Sequence, residues 1–255
     1  MLVLRSILFQ AAFYANCTLW FLAAMLAWPL PSRFMIKFAH GWARTSLWLH
    51  RAITGAPVEF RGVERIPKGA CLVAAKHHSA WETMALAYHV ELPTYILKRE
   101  LLRVPLFGWH LIKARQIPID RGQRVAALAK MMVHAKAAIA EGRQIIIFPE
   151  GTRRKVGAPP DYKYGVARLY AALGVPCLPV AMTSGLAWPR NTLLHYPRPI
   201  LVEFLDPIPP GLDPDQFFAR LQETIETNTN RLLAEAGYRP EESASRSAGA
   251  SQASA

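Results

Sequence analysis

The 255-residue chain is 52% hydrophobic, enough to bury one sizeable core, and its 30 Lys+Arg against 18 Asp+Glu give a formal charge of +12. That excess calls for anionic partners, but no Cys/His zinc spacing or aromatic-glycine RNA signature accompanies it, so no nucleic-acid partner is expected and anionic lipid is the better reading. Cys17, Cys71 and Cys177 are odd in number and far apart, which argues against a disulfide framework and against a metal site.

From Ser6 to Ser32 no side chain is charged, and the apolar run exceeds the roughly 20 residues that span a bilayer core. A helical membrane element is expected, either spanning the bilayer or, given Gln10, Asn16 and Thr18, dipping into one leaflet. A cleavable signal would have a shorter apolar run, although Ala24 and Ala27 imitate a cleavage site; a buried helical hairpin is the other alternative. After Pro29-Leu30-Pro31, the stretch from Phe34 to Gly55 interleaves Phe34, Phe38, Trp42 and Trp48 with Lys37, Arg44 and Arg51, as an interfacial helix does. Arg33, Lys37, Arg44 and Arg51 follow the apolar run closely while only Arg5 precedes it, so the remainder is expected on the cytoplasmic side of the membrane.

Beyond Ala56, short apolar runs at 70–75, 94–98, 144–149, 177–182 and 200–205 read as strands. Helical periodicity fits 125–140, closed by Gly142, and 164–173, closed by Gly174, with a last helix at about 214–236. The alternation predicts an α/β domain with a mixed, largely parallel sheet flanked by helices. The chain thus divides into an N-terminal anchor with interfacial helices (1–55), a main domain (56–238) and a small, polar tail (239–255) expected to be disordered.

Two constellations carry chemistry. The first strand runs into Lys76-His77-His78-Ser79-Ala80-Trp81-Glu82, at the strand end where α/β folds gather ligands. A histidine titrates near neutrality and can take a proton from a hydroxyl, and a carboxylate on its other nitrogen fixes the tautomer. His77 lies five residues before Glu82 and His78 four, so either could meet it; a helix cap at Ser79 with a surface His78/Glu82 pair would give a similar pattern. The second constellation is Phe148-Pro149-Glu150-Gly151-Thr152-Arg153-Arg154-Lys155. Gly151 permits close backbone approach, Thr152 offers a hydroxyl and Arg153 can grip a phosphate bidentately.

Together, a histidine and an acid five residues on, followed further along by Phe-Pro-Glu-Gly-Thr-Arg, resemble the glycerolipid acyltransferases, most closely the bacterial 1-acylglycerol-3-phosphate acyltransferases. The resemblance runs from about His77 to Ala181. It implies a glycerolphosphate acyltransferase-like fold in which His77, not His78, is the general base and Glu82 its partner. The family usually has aspartate at Glu82, asparagine at Lys76 and glutamine at His78. Lys98-Arg99-Glu100-Leu101 resembles the family's second block. By that likeness Lys98 and Arg153 bind the acceptor's phosphate, Glu150, Gly151 and Thr152 shape its headgroup site, and Arg121 is a further candidate. The run Val175 to Ala181 resembles a fourth block along the acyl donor's path, though a core strand explains all of it except Pro179.

The implied reaction is transfer of an acyl chain from acyl-CoA or acyl-carrier protein to the sn-2 hydroxyl of 1-acylglycerol-3-phosphate, with no cofactor, by an inner-membrane bacterial enzyme. No Gly-x-Ser-x-Gly elbow and no phosphate-cradling Gly-x-x-x-x-Gly-Lys loop is present, which fits direct transfer without a covalent intermediate or nucleotide. The residues leave two alternatives. One is an acyltransferase acting on another lysophospholipid or a lyso-amino lipid; the other is an inactive lipid-binding protein of the membrane surface.

Overall fold

The computed structural model describes residues 1–120 and 124–239, with side chains outside 124–127. Arg121 and the tail from 240 onward lie outside the described residues.

Two long helices come first, α1 (Leu2–Leu26) and α2 (Arg33–Thr54). Then strands and helices alternate: β1 (Val58–Arg61), β2 (Cys71–Ala75), α3 (Trp81–His89), β3 (Pro93–Lys98), α4 (Phe107–Lys113) and β4 (Ile117–Ile119). They continue with α5 (Arg124–Ala140), β5 (Gln144–Ile147), α6 (Gly165–Leu173), β6 (Cys177–Met182), β7 (Ile200–Phe204) and α7 (Pro214–Glu235). The seven strands form one sheet in the order β1-β7-β6-β2-β5-β3-β4, parallel throughout except for the antiparallel β6/β7 pair. This is the mixed, largely parallel sheet expected from the alternating pattern.

Strand pleating assigns the core to two layers. In central β2, Val73 faces the layer built by α2 and α3, with Ile146 and Leu178 beside it in register. Leu72 and its neighbour Ile145 face the opposite layer, filled by Met131, Tyr170, Phe217 and Leu221 from α5, α6 and α7. Every residue of β2 is buried, so its continuous apolar run shows no alternation, as a strand covered on both faces requires. α7 starts where Asp213 accepts the main-chain N–H groups of Asp215 and Gln216, with Pro214 in the first turn.

The first two helices form a hairpin locked by side chains. The Trp20 indole donates to Thr45 Oγ1 at 2.9 Å, Asn16 to Ser46 Oγ at 2.9 Å, and the Trp42 indole to Cys17 Sγ at 3.2 Å. Phe9 of α1 and Ala43 of α2 belong to the same buried cluster as Val73 and Trp81, so residues 1–55 share their core with the sheet. The outer face of α1 leaves Leu4, Ile7, Leu8, Leu19, Leu22 and Leu26 exposed, and among the described helices it is the one long and apolar enough to cross a membrane. On α2, Arg33, Lys37, Arg44 and Arg51 form one exposed stripe beside Trp48. The expectation of an aromatic interfacial face needs correcting for Phe38 and Trp42: both turn inward and line a cavity, because α1 covers that side.

Candidate active site

The main chain leaving β2 and the main chain leaving β5 meet at the carboxyl edge of the sheet, where parallel strands leave a crevice. His77 follows the first and Phe148 the second, and their rings stack at 3.9 Å with a 14° tilt. Arg154 N donates to His77 O at 2.7 Å, tying the second loop to the first.

Glu82 sits in the first turn of α3 and is fully buried. Its Oε1 accepts His77 Nδ1 at 2.9 Å and the main-chain N–H groups of His78 at 2.6 Å and Ser79 at 2.7 Å, while Oε2 accepts the Ser184 hydroxyl. Burial alone would raise this carboxyl's pKa; hydrogen bonds from His77, Ser184 and Ser79 outweigh it and hold the group below its ordinary value. A carboxylate on Nδ1 makes that nitrogen the protonated one, so Nε2 is left as the basic lone pair. The extra methylene of glutamate is accommodated, since the 2.9 Å contact is an ordinary hydrogen bond. Ser79 Oγ meanwhile accepts Trp81 N at 3.1 Å, a local turn contact beside the dyad; the N-cap of α3 is Ala80, which makes no side-chain cap bond.

The geometry separates the two histidines. His77 opens into a cavity of about 580 Å³, whereas the His78 ring is buried, its Cβ facing Gly185. Burial pushes the His78 pKa down to about 4, so this ring is neutral at physiological pH.

Lys98, Gly151, Thr152 and Arg153 line the same cavity as His77. Gly151 turns the chain in the left-handed region at φ +66°, where a side chain would be strained. The rest of the wall is largely apolar, with Trp20 and Phe21 from α1, Phe38 and Trp42 from α2, and Leu101 and Phe107 further along. The cavity thus combines a histidine and two cations with a largely apolar wall.

Glu150 does not join this group. Its carboxylate is buried, accepting Lys76 Nζ at 2.9 Å and His77 N at 3.3 Å, and it lies outside the cavity lining. The expectation that its side chain shapes a headgroup site is therefore corrected: it braces the loop that carries His77, because the buried Lys76 ammonium claims it. Lys76 also reaches Glu226 Oε1 of α7 at 2.6 Å, which Tyr162 OH contacts at 2.9 Å. Sequence reasoning missed Ser184, Glu226 and Tyr162. For Glu226 and Tyr162 the signal was Lys76, a lysine at a position that the fold buries; Ser184, which meets Glu82, left none.

Comparisons with known proteins give the family and the fold. The acyltransferase family model matches residues 57–183, a range that contains both loops. A "1-acyl-sn-glycerol-3-phosphate acyltransferase" of Pseudomonas aeruginosa is 36% identical over 204 residues, 78% of each chain. One of Cocos nucifera is 30% identical, over 72% of this chain and 59% of its own. Among solved structures, the 1-acyl-sn-glycerophosphate (LPA) acyltransferase PlsC of Thermotoga maritima superposes with a TM-score of 0.76 over 92% of this chain and 98% of its own, at 21% identity, which speaks for the fold alone. With a relative at 36% identity across most of both lengths, and both loops inside the matched region, the chain belongs to the acyltransferase family.

Proposed function

We propose that the chain transfers an acyl group from a thioester donor, acyl-CoA or acyl-carrier protein, to the sn-2 hydroxyl of 1-acylglycerol-3-phosphate, giving phosphatidate. The observation that carries this reading is one cavity lined by a carboxylate-backed histidine, two cations and a long apolar wall. His77 Nε2 takes the hydroxyl proton as the oxygen attacks the thioester carbonyl. The tetrahedral intermediate then expels the thiolate, which recovers the proton from the imidazolium. Glu82 stabilises that imidazolium, and Ser184 and the two main-chain donors keep the carboxylate in place. Lys98 and Arg153 hold the acceptor's phosphate, converting binding energy into orientation. No cofactor enters the scheme.

The exposed apolar face of α1 and the cationic stripe on α2 support a membrane-bound site fed with lipid from the bilayer. α1 touches the domain along both halves, Gln10 at His195 and the Phe21 carbonyl at His110, which favours a helix lying in one leaflet over one that crosses. With the cations on the cytoplasmic side, the enzyme would face the cytoplasm from a bacterial inner membrane. The test is an assay of membranes bearing the chain, with palmitoyl-CoA and either lysophosphatidate or a lysolipid lacking a terminal phosphomonoester. Phosphatidate should form from the first acceptor in preference to the second, and Arg153→Ala should raise KM for lysophosphatidate by about 10-fold or more. Equal rates with both acceptors would refute the assignment of the phosphate site.

A further inference from the structure

Arg154 and Lys155, the second and third cations of the run after Thr152, take no part in the cavity that holds His77. They line a separate cleft of about 560 Å³ with Ala158, Arg190 and Asn191. Its charge is poorly compensated. Asp161 stands 3.8 Å from Arg154 Nη1 but pairs more closely with Lys163, at 2.7 Å. Among the described residues, Lys155 and Arg190 have no carboxylate partner; Arg190 Nη1 instead donates to the Arg153 main-chain carbonyl.

That carbonyl joins the two spaces. The Arg153 side chain lines the His77 cavity, its own carbonyl holds Arg190 of the cleft, and the next residue's N–H binds the His77 carbonyl. The cleft is thus built on the backbone that positions the base. In the acyl-transfer reading, on which this inference rests, the acceptor's phosphate occupies Lys98 and Arg153. The donor's acyl carbonyl must also reach His77, and both donor types carry that acyl group on a phosphopantetheine arm. The remaining wall of the His77 cavity, largely apolar, offers the donor's phosphates no further Lys or Arg among the described residues. Two guanidinium groups and an ammonium beyond the Arg153 peptide match phosphate oxygens in charge and in donor geometry. We infer that Arg154, Lys155 and Arg190 bind the phosphates of the phosphopantetheine thioester donor, so that donor and acceptor phosphates lie on opposite sides of the Arg153 loop.

The test measures binding to the full chain in uncharged detergent micelles, with no acceptor present. The probes are a non-transferable thioether analogue of palmitoyl-CoA and its truncated palmitoyl-pantetheine counterpart, which lacks every phosphate. In the double variant Lys155→Gln, Arg190→Gln, affinity for the CoA analogue should fall about 10-fold or more while affinity for the truncated probe is unchanged. Lys155→Arg should retain binding, and raising the salt should weaken the wild type toward the variant. Equal weakening of both probes, or no weakening of the CoA analogue, would overturn the inference. So would a variant that loses only its binding to phosphatidylglycerol vesicles, since the cleft would then serve the membrane. An enzyme that acylates some other lysolipid would leave this binding result intact and would count against the acceptor assignment alone.

Discussion

Glu82 gathers four donors on one buried carboxylate, and one of them is the imidazole that faces the cavity. Removing the charge while keeping the shape should therefore act on chemistry more than on binding. Glu82→Gln is expected to lower kcat by about 10²–10⁴-fold, with KM for the acceptor little changed, in steady-state assays. His77→Ala should lose turnover to a similar or greater extent and still bind lipid. His78→Ala should differ in kind: this ring is packed in the interior, so the variant should melt earlier while its folded fraction keeps near-normal kcat. At this scale the sequence limited the base to two neighbours. Spacing could not choose between them, because five-residue and four-residue separations both bring a side chain to the start of a helix; only the family resemblance pointed to His77. The direction of each ring follows from how β2 ends and from Phe148 stacking on His77, a contact between residues remote in sequence.

Among the elements, the junction of β2, β5 and α7 depends on Lys76 between Glu150 and Glu226. Lys76 is 2% exposed and Glu150 1%, so removing the ammonium leaves carboxylates without their counter-charge in the interior. Lys76→Met should destabilise the protein by about 3–5 kcal/mol, read by denaturant unfolding in detergent, and should also reduce activity by loosening the main chain at His77. The α1/α2 hairpin offers a second measurement. A Cβ on Gly41 would meet the Trp20 ring at 2.1 Å. Gly41→Ala gains helix propensity of about 1 kcal/mol, but the ring is pinned by Thr45, so overpacking should win with a net loss of about 1–2 kcal/mol. A more stable variant would show that Trp20 yields.

The elements differed in how plainly periodicity announced them. β2, β3, β5, β6, β7, α5, α6 and α7 follow the expected runs closely. β1 and β4 are only four and three residues long, too short to alternate visibly. α3 is buried around most of its circumference, so its nine residues lack the polar face by which a helix is recognised.

For the molecule as a whole, α1 supplies part of the cavity wall, and the histidines beside its attachment contribute to the response to acid. Phe9 packs edge-on to His50, whose ring stacks on Trp188 and lies 5.4 Å from His195. Burial pushes His50 down to about 3 and His195 to about 4. Both folded values lie below the roughly 6.5 of an unfolded histidine, so between these pH values the unfolded chain binds protons that the folded chain refuses. Stability should therefore be complete above about pH 6.5 and fall as the pH drops through this window, by about 1 kcal/mol per pH unit for each ring. Denaturant unfolding at pH 7 and pH 5 checks this. His50→Leu should shallow the slope, and an unchanged slope would locate the acid sensitivity elsewhere.

The sequence by itself determined the α/β class, the apolar first helix, the basic stripe that follows it and the two loops that carry the chemistry. These are properties of composition, of short-range periodicity and of motifs whose residues are near neighbours. Only the tertiary structure decided that His77 faces the cavity, that Glu150 turns inward to Lys76, that Ser184 completes the carboxylate's partners, and that the first two helices form part of the cavity wall. Each of these depends on chain segments far apart in sequence meeting at the edge of the sheet, where burial and hydrogen-bond satisfaction, rather than local pattern, determine where a side chain points.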